Sequence, residues 1–234
     1  MAKPAALSKS RKKPPKAARL EPAERARIAE IFDRFEAQEG DPRTELDYAS
    51  AYTLVVAVAL SAQATDVSVN KATKKLFAVA DTPQKMLALG EAGLKPLIAS
   101  IGLYNTKAKN VIALSRILVE QYGGEVPLER EKLQALPGVG RKTASVVLNE
   151  LRVEPAIAVD THVFRVSHRL GLADGKTPDQ VEARLMAVVP QPYLTRAHHW
   201  LILHGRYVCV ARRPKCEDCV VADLCPSRHL FVGA

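Results

Sequence analysis

Residues 136–160 read LPGVGRKTASVVLNELRVEPAIAVD. Leu136-Pro137-Gly138-Val139-Gly140 is a tight turn between two helical patterns. Before it, Pro127 to Ala135 predicts a short amphipathic helix with Leu128 and Leu133 as its apolar points. After it, Ala144, Val147, Leu148 and Leu151 fall on one face of a second helix. Pro137 fixes one backbone angle, while Gly138 and Gly140 permit positive φ and close backbone approach. Such a turn leaves N–H groups unpaired at a helix N-terminus, which is a site for an anion such as a phosphate. Arg141 and Lys142 follow it directly.

A Gly-x-Gly turn by itself is equally a plain connector, so its neighbours carry the argument. Lys142 falls in the first turn of a helix, where the macrodipole and Arg141 both disfavour its charge. A neutral amine is a nucleophile. Downstream, the apolar run Ala156-Ile157-Ala158-Val159 ends in Asp160, and a helical pattern from Thr161 to Leu170 follows. Two plainer readings stand beside these: Asp160 as a helix N-cap and Lys142 as a solvated surface lysine.

Working outward, the body of the chain reads as helix throughout. Pro22 suits a first helical position, with Ile28, Ile31, Phe32 and Phe35 spaced along one face. Ser50 can cap a helix whose residues Tyr52 to Leu60 are apolar nearly all round, which places it at the centre of a core. Further helices are expected over Val67 to Phe77, from Thr82-Pro83, around Leu94 to Ile101, and over Asn105 to Tyr122, the last ended by Gly123-Gly124. Thr177-Pro178 opens another, and a long one runs from about Tyr193 to Val208. No alternating strand pattern stands out, so the expected class is all-α, a bundle of stacked amphipathic helices.

The chain has 234 residues and is 47% hydrophobic, enough to bury a sizeable core. It contains neither a membrane-length apolar run nor a signal-peptide core. Its formal charge of +9 is unevenly spread: residues 1–20 hold seven Lys and Arg and no acid, leaving +2 for the remainder. That Pro-, Ala- and Lys-rich segment has little to bury and is expected to be a disordered basic tail suited to touching phosphates. Its RKKPPK run also suits a nuclear-import signal. All four cysteines, Cys209, Cys216, Cys219 and Cys225, fall near the C-terminus with six, two and five residues between them. Without a secretory signal this favours metal or cluster binding over disulfides, and spacing alone leaves zinc and iron–sulfur both open.

LPGVGRKTA followed by VDTHVFRVSHRLGL, together with LSAQATDVSVNKAT and IGLYNTKAKN upstream and HHWLILHGRYVC downstream, resembles the endonuclease III family of helix-hairpin-helix DNA glycosylases. The likeness extends over about residues 22 to 226. It implies two helical lobes flanking a DNA-binding cleft: a six-helix lobe, 44–154, and an iron–sulfur lobe made of 21–43 plus 155–234. It implies removal of oxidised pyrimidines such as thymine glycol and β-elimination at the abasic site through a lysine Schiff base. Lys142 would be the nucleophile and Asp160 the carboxylate that stabilises charge on the sugar. Gln63 and Leu103 would enter the duplex as the base leaves it, and Gly138, Gly140 and Arg141 would meet the backbone. The six-two-five cysteine pattern resembles the family's 4Fe-4S site. Between its first two cysteines, Arg212, Arg213 and Lys215 would then form a pinned phosphate clamp. His162 reads first as a structural histidine; it and Asp66 are the remaining candidates for substrate contact. The expected partner is double-stranded DNA carrying damaged pyrimidines or abasic sites, bound by a monomer in the cytoplasm at the nucleoid, with no membrane involved. Two other readings stay open: a relative with another base specificity, and a non-catalytic DNA-binding redox protein that would need the cysteines and basic loop but neither Lys142 nor Asp160.

Overall fold

A computed structural model of the chain describes residues 20–232. The reading of the basic tail concerns residues 1–19, which lie outside the described residues. No strand occurs among those described.

Each helix begins where local chemistry lets it. Helix α1 (Pro22–Gln38) starts on Pro22, whose missing N–H is one that a first turn could not pair anyway. Helix α2 (Ala51–Ser61) starts with a capping box: the Ser50 hydroxyl accepts from Thr53 N–H, and the Thr53 hydroxyl accepts from Ser50 N–H. Thr65 caps α3 (Asp66–Phe77), Thr82 caps α4 (Pro83–Ile98), and α4 is two helical runs broken at Gly90 (φ 64°, ψ 176°). Helix α5 (Tyr104–Tyr122) closes on Gly123 at φ 63°, a left-handed C-terminal glycine. Then come α6 (Arg130–Gln134), α7 (Arg141–Glu150), α8 (Thr161–Arg169), α9 (Pro178–Val188), capped by Thr177, and α10 (Leu194–Tyr207).

Helix α6 is shorter than its sequence pattern. It spans five residues; Leu133 is fully buried, but Leu128 lies ahead of the helix and is 47% exposed. One apolar anchor suffices for so short a turn of helix, because α7 covers only that face.

The buried side chains form two clusters. The first surrounds α2, where Tyr52 to Leu60 are all buried, and includes Leu76, Leu94, Leu114 and Leu148. In the second, Ile28, Ile31, Phe32 and Phe35 of α1 pack with Val163, Val166, Leu185 and Leu201. Each such large side chain contributes about 2 kcal/mol by leaving water. This explains how α1, far away in sequence, becomes part of the C-terminal packing. Trp200 completes the seam, its ring tilted against Phe32 and its indole N–H donating to Glu39 O at 2.7 Å.

Candidate active site

The turn between α6 and α7 is held from inside by Leu136 and Val139, each only 3% exposed. Gly138 has φ +79°, and a Cβ there would come within 3.0 Å of Asn110 Cβ. A glycine is therefore required twice over at this position. Gly140 does not use the positive φ that a glycine permits: its φ is −82°, in extended backbone, and a Cβ would meet nothing within 4 Å. Its open side faces outward. Gly140 has no side chain to cap α7, so the first-turn N–H groups of that helix present a bare positive dipole end.

Lys142 stands exposed on that first turn, and it lines the same cleft as Asp160, although eighteen positions separate them. Asp160 is the N-cap of α8: its Oδ1 accepts from His162 N–H and Val163 N–H, each at 2.8 Å. The N-cap reading of the sequence is thus true of one carboxylate oxygen. The cleft holds about 800 Å³, room for a nucleoside. Gln63, Asp66 and His162 also line it. Asp66 is paired with Arg206 at 2.6 Å, and Arg206 also meets Glu45. Arg141, expected beside the hairpin for a phosphate, is exposed there and lies 3.0 Å from Glu182 and 3.4 Å from Asp179 of α9.

Below the cleft lies a polar seam that the sequence did not disclose. Asn149 of α7 donates to Thr195 O of α10 at 2.9 Å and accepts from Ala156 N–H at 3.1 Å. Its neighbour Glu150, with a side chain 1% exposed, accepts from Tyr48 Oη at 2.8 Å, Thr44 N–H at 3.3 Å and His199 Nε2 at 3.1 Å. Burial works against its charge, yet the hydrogen bonds from His199 and Tyr48 outweigh it and hold the carboxyl at about 2. Adjacent His198 is buried, its Nδ1 lacks a partner, and burial keeps the ring neutral. The one signal for this seam was the doubled histidine beside the apolar run Trp200 to Leu203. Glu150→Ala should lower stability by about 3 kcal/mol, since it strands buried partners; a melt within a degree of the parent would contradict the seam. Because Glu150 titrates lower when folded than unfolded, its stabilisation is complete above about pH 4.5 and fades as pH falls toward 2. A urea series across that window reads it out.

The four cysteines line one apolar pocket, and all four are free. A single zinc would draw its sulfurs to about 2.3 Å from itself, whereas a four-iron cluster spaces its thiolates around a larger body. Four free thiols on one apolar pocket fit the thiolate set that such a cluster takes. Its surroundings supply cations and donors. Arg169 lies 3.5 Å from Cys209 Sγ and donates to Val210 O and Ala211 O, while Arg165 donates to Cys209 O at 3.0 Å. Arg27 of α1 donates to Leu224 O at 2.7 Å. Burial pushes the Cys219 thiol up to about 11, so loading a cluster must release protons. Arg212, Arg213 and Lys215 are exposed on the loop that Lys215 N–H closes onto Val208 O.

The fold and cleft are those of a helix-hairpin-helix base-excision repair protein. The HhH-GPD superfamily base excision DNA repair model matches residues 56–191, and the iron–sulfur binding domain of endonuclease III matches 209–225. Endonuclease III of Rickettsia conorii is 57% identical over 198 residues, 85% of this chain and 94% of the relative; that of Escherichia coli is 56% identical over 201 residues, 86% and 95%. A solved complex described as a trapped endonuclease III–DNA covalent intermediate with an estranged adenine superposes with a TM-score of 0.81 at 42% identity, covering 88% of this chain and 97% of that one. The chain belongs to the endonuclease III family. It is a base-excision DNA glycosylase and AP lyase for oxidised pyrimidines, it binds DNA, and its cofactor is a 4Fe-4S cluster.

Proposed function

We propose that Lys142 and Asp160 perform the chemistry on a nucleotide turned out of double-stranded DNA bearing a damaged pyrimidine or abasic site. The observation that carries this reading is that both side chains line one cleft, with Lys142 on the open first turn of α7. The Lys142 amine attacks C1′ and the base departs with the bonding electrons. Asp160 stabilises the positive charge that builds on the sugar as that bond breaks. Loss of a proton and opening of the ring leave an imine between Nζ and C1′. The imine acidifies the C2′ hydrogen; its removal expels the 3′ phosphate by β-elimination, and water then releases the lysine. The trapped covalent complex of the solved relative supports an enzyme-bound step of this type. Incubation with a thymine glycol duplex followed by borohydride should give a protein–DNA adduct; wild-type enzyme that cuts the strand without one would overturn the lysine route.

Gln63 and Leu103 fill the space the base leaves, one by hydrogen bonding to the estranged partner and the other by wedging. Gly138 and Gly140 bring the hairpin backbone to a phosphate, with Arg141 beside it. Of these, Leu103 is 63% exposed, and Gln63 lies in the loop between α2 and α3. The two buried clusters support the division into a six-helix lobe, 44–154, and an iron–sulfur lobe, 21–43 plus 155–234. No described helix is long and apolar enough to cross a membrane. The enzyme works as a monomer at the nucleoid in the cytoplasm.

Cys209, Cys216, Cys219 and Cys225 hold the cluster, which braces the C-terminal lobe. Anaerobically purified protein should contain about four irons per chain and a broad visible band; one stoichiometric zinc from iron-replete cells would refute it. Arg212, Arg213 and Lys215 contact phosphates. Replacing all three by Ala should reduce the salt slope of binding by up to about 3, since each lost phosphate contact is worth about 0.9. An unchanged slope would remove the clamp.

A further inference from the structure

Lys107 is a buried lysine with no part in the chemistry. It is 7% exposed, yet it sits in the first turn of α5, four residues after Leu103. Its Nζ donates to Leu60 O at 2.9 Å and to Ala62 O at 2.7 Å. Those carbonyls end α2, where a helix leaves its acceptors unpaired and its dipole favours a cation. The next residue is Gln63. Meanwhile, the Lys107 backbone N–H donates to Leu103 O at 3.0 Å. One residue is therefore bonded to both loops that carry the duplex-entering side chains.

Both loops need holding. Among the described residues only three without a glycine's freedom have positive φ: Gln63 at 57°, Leu103 at 59° and Arg152 at 57°. Arg152 follows the last turn of α7, a common place for a left-handed residue. Leu103 is unusual, because a helix N-cap ordinarily has extended backbone and a capping side chain, and Leu103 has neither. Backbone in sparsely occupied regions persists only where its surroundings enforce it. Burial also lowers the Lys107 ammonium from its ordinary range, so the sequence spends a desolvated charge on this bridge.

We infer that Lys107 is a positioning residue that locks the Gln63 and Leu103 loops together, so that the two side chains enter the duplex as one rigid unit. The inference rests on the proposed roles of Gln63 and Leu103. A loosened bridge would leave the Lys142 chemistry intact and impair only the opening of the helix.

The test uses full-length holoenzyme carrying Lys107→Met, which keeps the chain length and removes the charge, and Lys107→Gln, which can still donate to one carbonyl. Gln63→Ala and Leu103→Ala run alongside. Three readouts are taken: single-turnover excision of thymine glycol from a duplex, borohydride trapping on a single-stranded abasic oligonucleotide, and the fluorescence of 2-aminopurine placed opposite the lesion. The single strand has no stack to open and reports fold and chemistry alone. Lys107→Met should slow duplex excision about tenfold or more, the order expected for misplaced positioning groups. It should also suppress the 2-aminopurine rise and leave single-strand trapping within about twofold; Lys107→Gln should recover part of the duplex rate. Equal losses on both substrates would mean a folding role only and overturn the inference, as would an unchanged duplex rate. If Gln63→Ala and Leu103→Ala leave duplex excision intact, the wedge assignment is what fails, and the inference falls with it.

Discussion

Lys142→Ala should abolish the borohydride adduct and slow strand cleavage on the order of 10³-fold or more, the scale on which enzymes lose rate with their nucleophile. The fold should hold, because the side chain is exposed and exposed substitutions usually change stability by under about 0.5 kcal/mol. DNA binding should drop only by one phosphate-range charge, while the hairpin remains in place. Lys142→Arg separates charge from nucleophilicity: it restores the cation but supplies no free amine, so it should bind like the parent and form no adduct. An adduct at parental yield in Lys142→Ala, mapped to another lysine, would move the chemistry elsewhere in the cleft.

Asp160→Asn isolates the carboxylate charge from the cap. Asn is as good an N-cap as Asp, and its side-chain oxygen can accept the same His162 and Val163 N–H bonds, so stability should shift by under about 1 kcal/mol. Base excision should slow about 10²–10³-fold, because charge developing on the sugar no longer meets a fixed anion. Asp160→Ala should lose both the cap and the rate. Equal excision rates for Asp160→Asn and the parent would leave Asp160 a cap and nothing more.

Much of this was legible in order along the chain. The apolar run from Tyr52 to Leu60 could only be a central helix, since no solvent face remains on it. The spacing of Ile28, Ile31, Phe32 and Phe35 marked one buried stripe, and Ser50, Thr82-Pro83 and Thr177-Pro178 marked helix starts by local hydrogen bonding. The hairpin, the lysine after it, Asp160 and the cysteine spacing were likewise local signals. Local signals survive because they depend on neighbours three or four positions away. They also mislead locally: Leu128 matched the helical period but lies outside α6.

Sequence alone determined the helical class, the caps, the hairpin and which residue types could carry the chemistry. Tertiary structure decided what those residues face. Glu150 lies at the end of a helix, and only the fold brings Tyr48 and His199 to it, from positions about a hundred before and fifty after. Lys107 meets the carbonyls of Leu60 and Ala62 only because α5 packs against the end of α2. Each of these is a charged side chain, whose place in the sequence pattern is permissive because water solvates it anywhere. Only a partner from a distant element makes its burial affordable, and that partner is invisible to any local period.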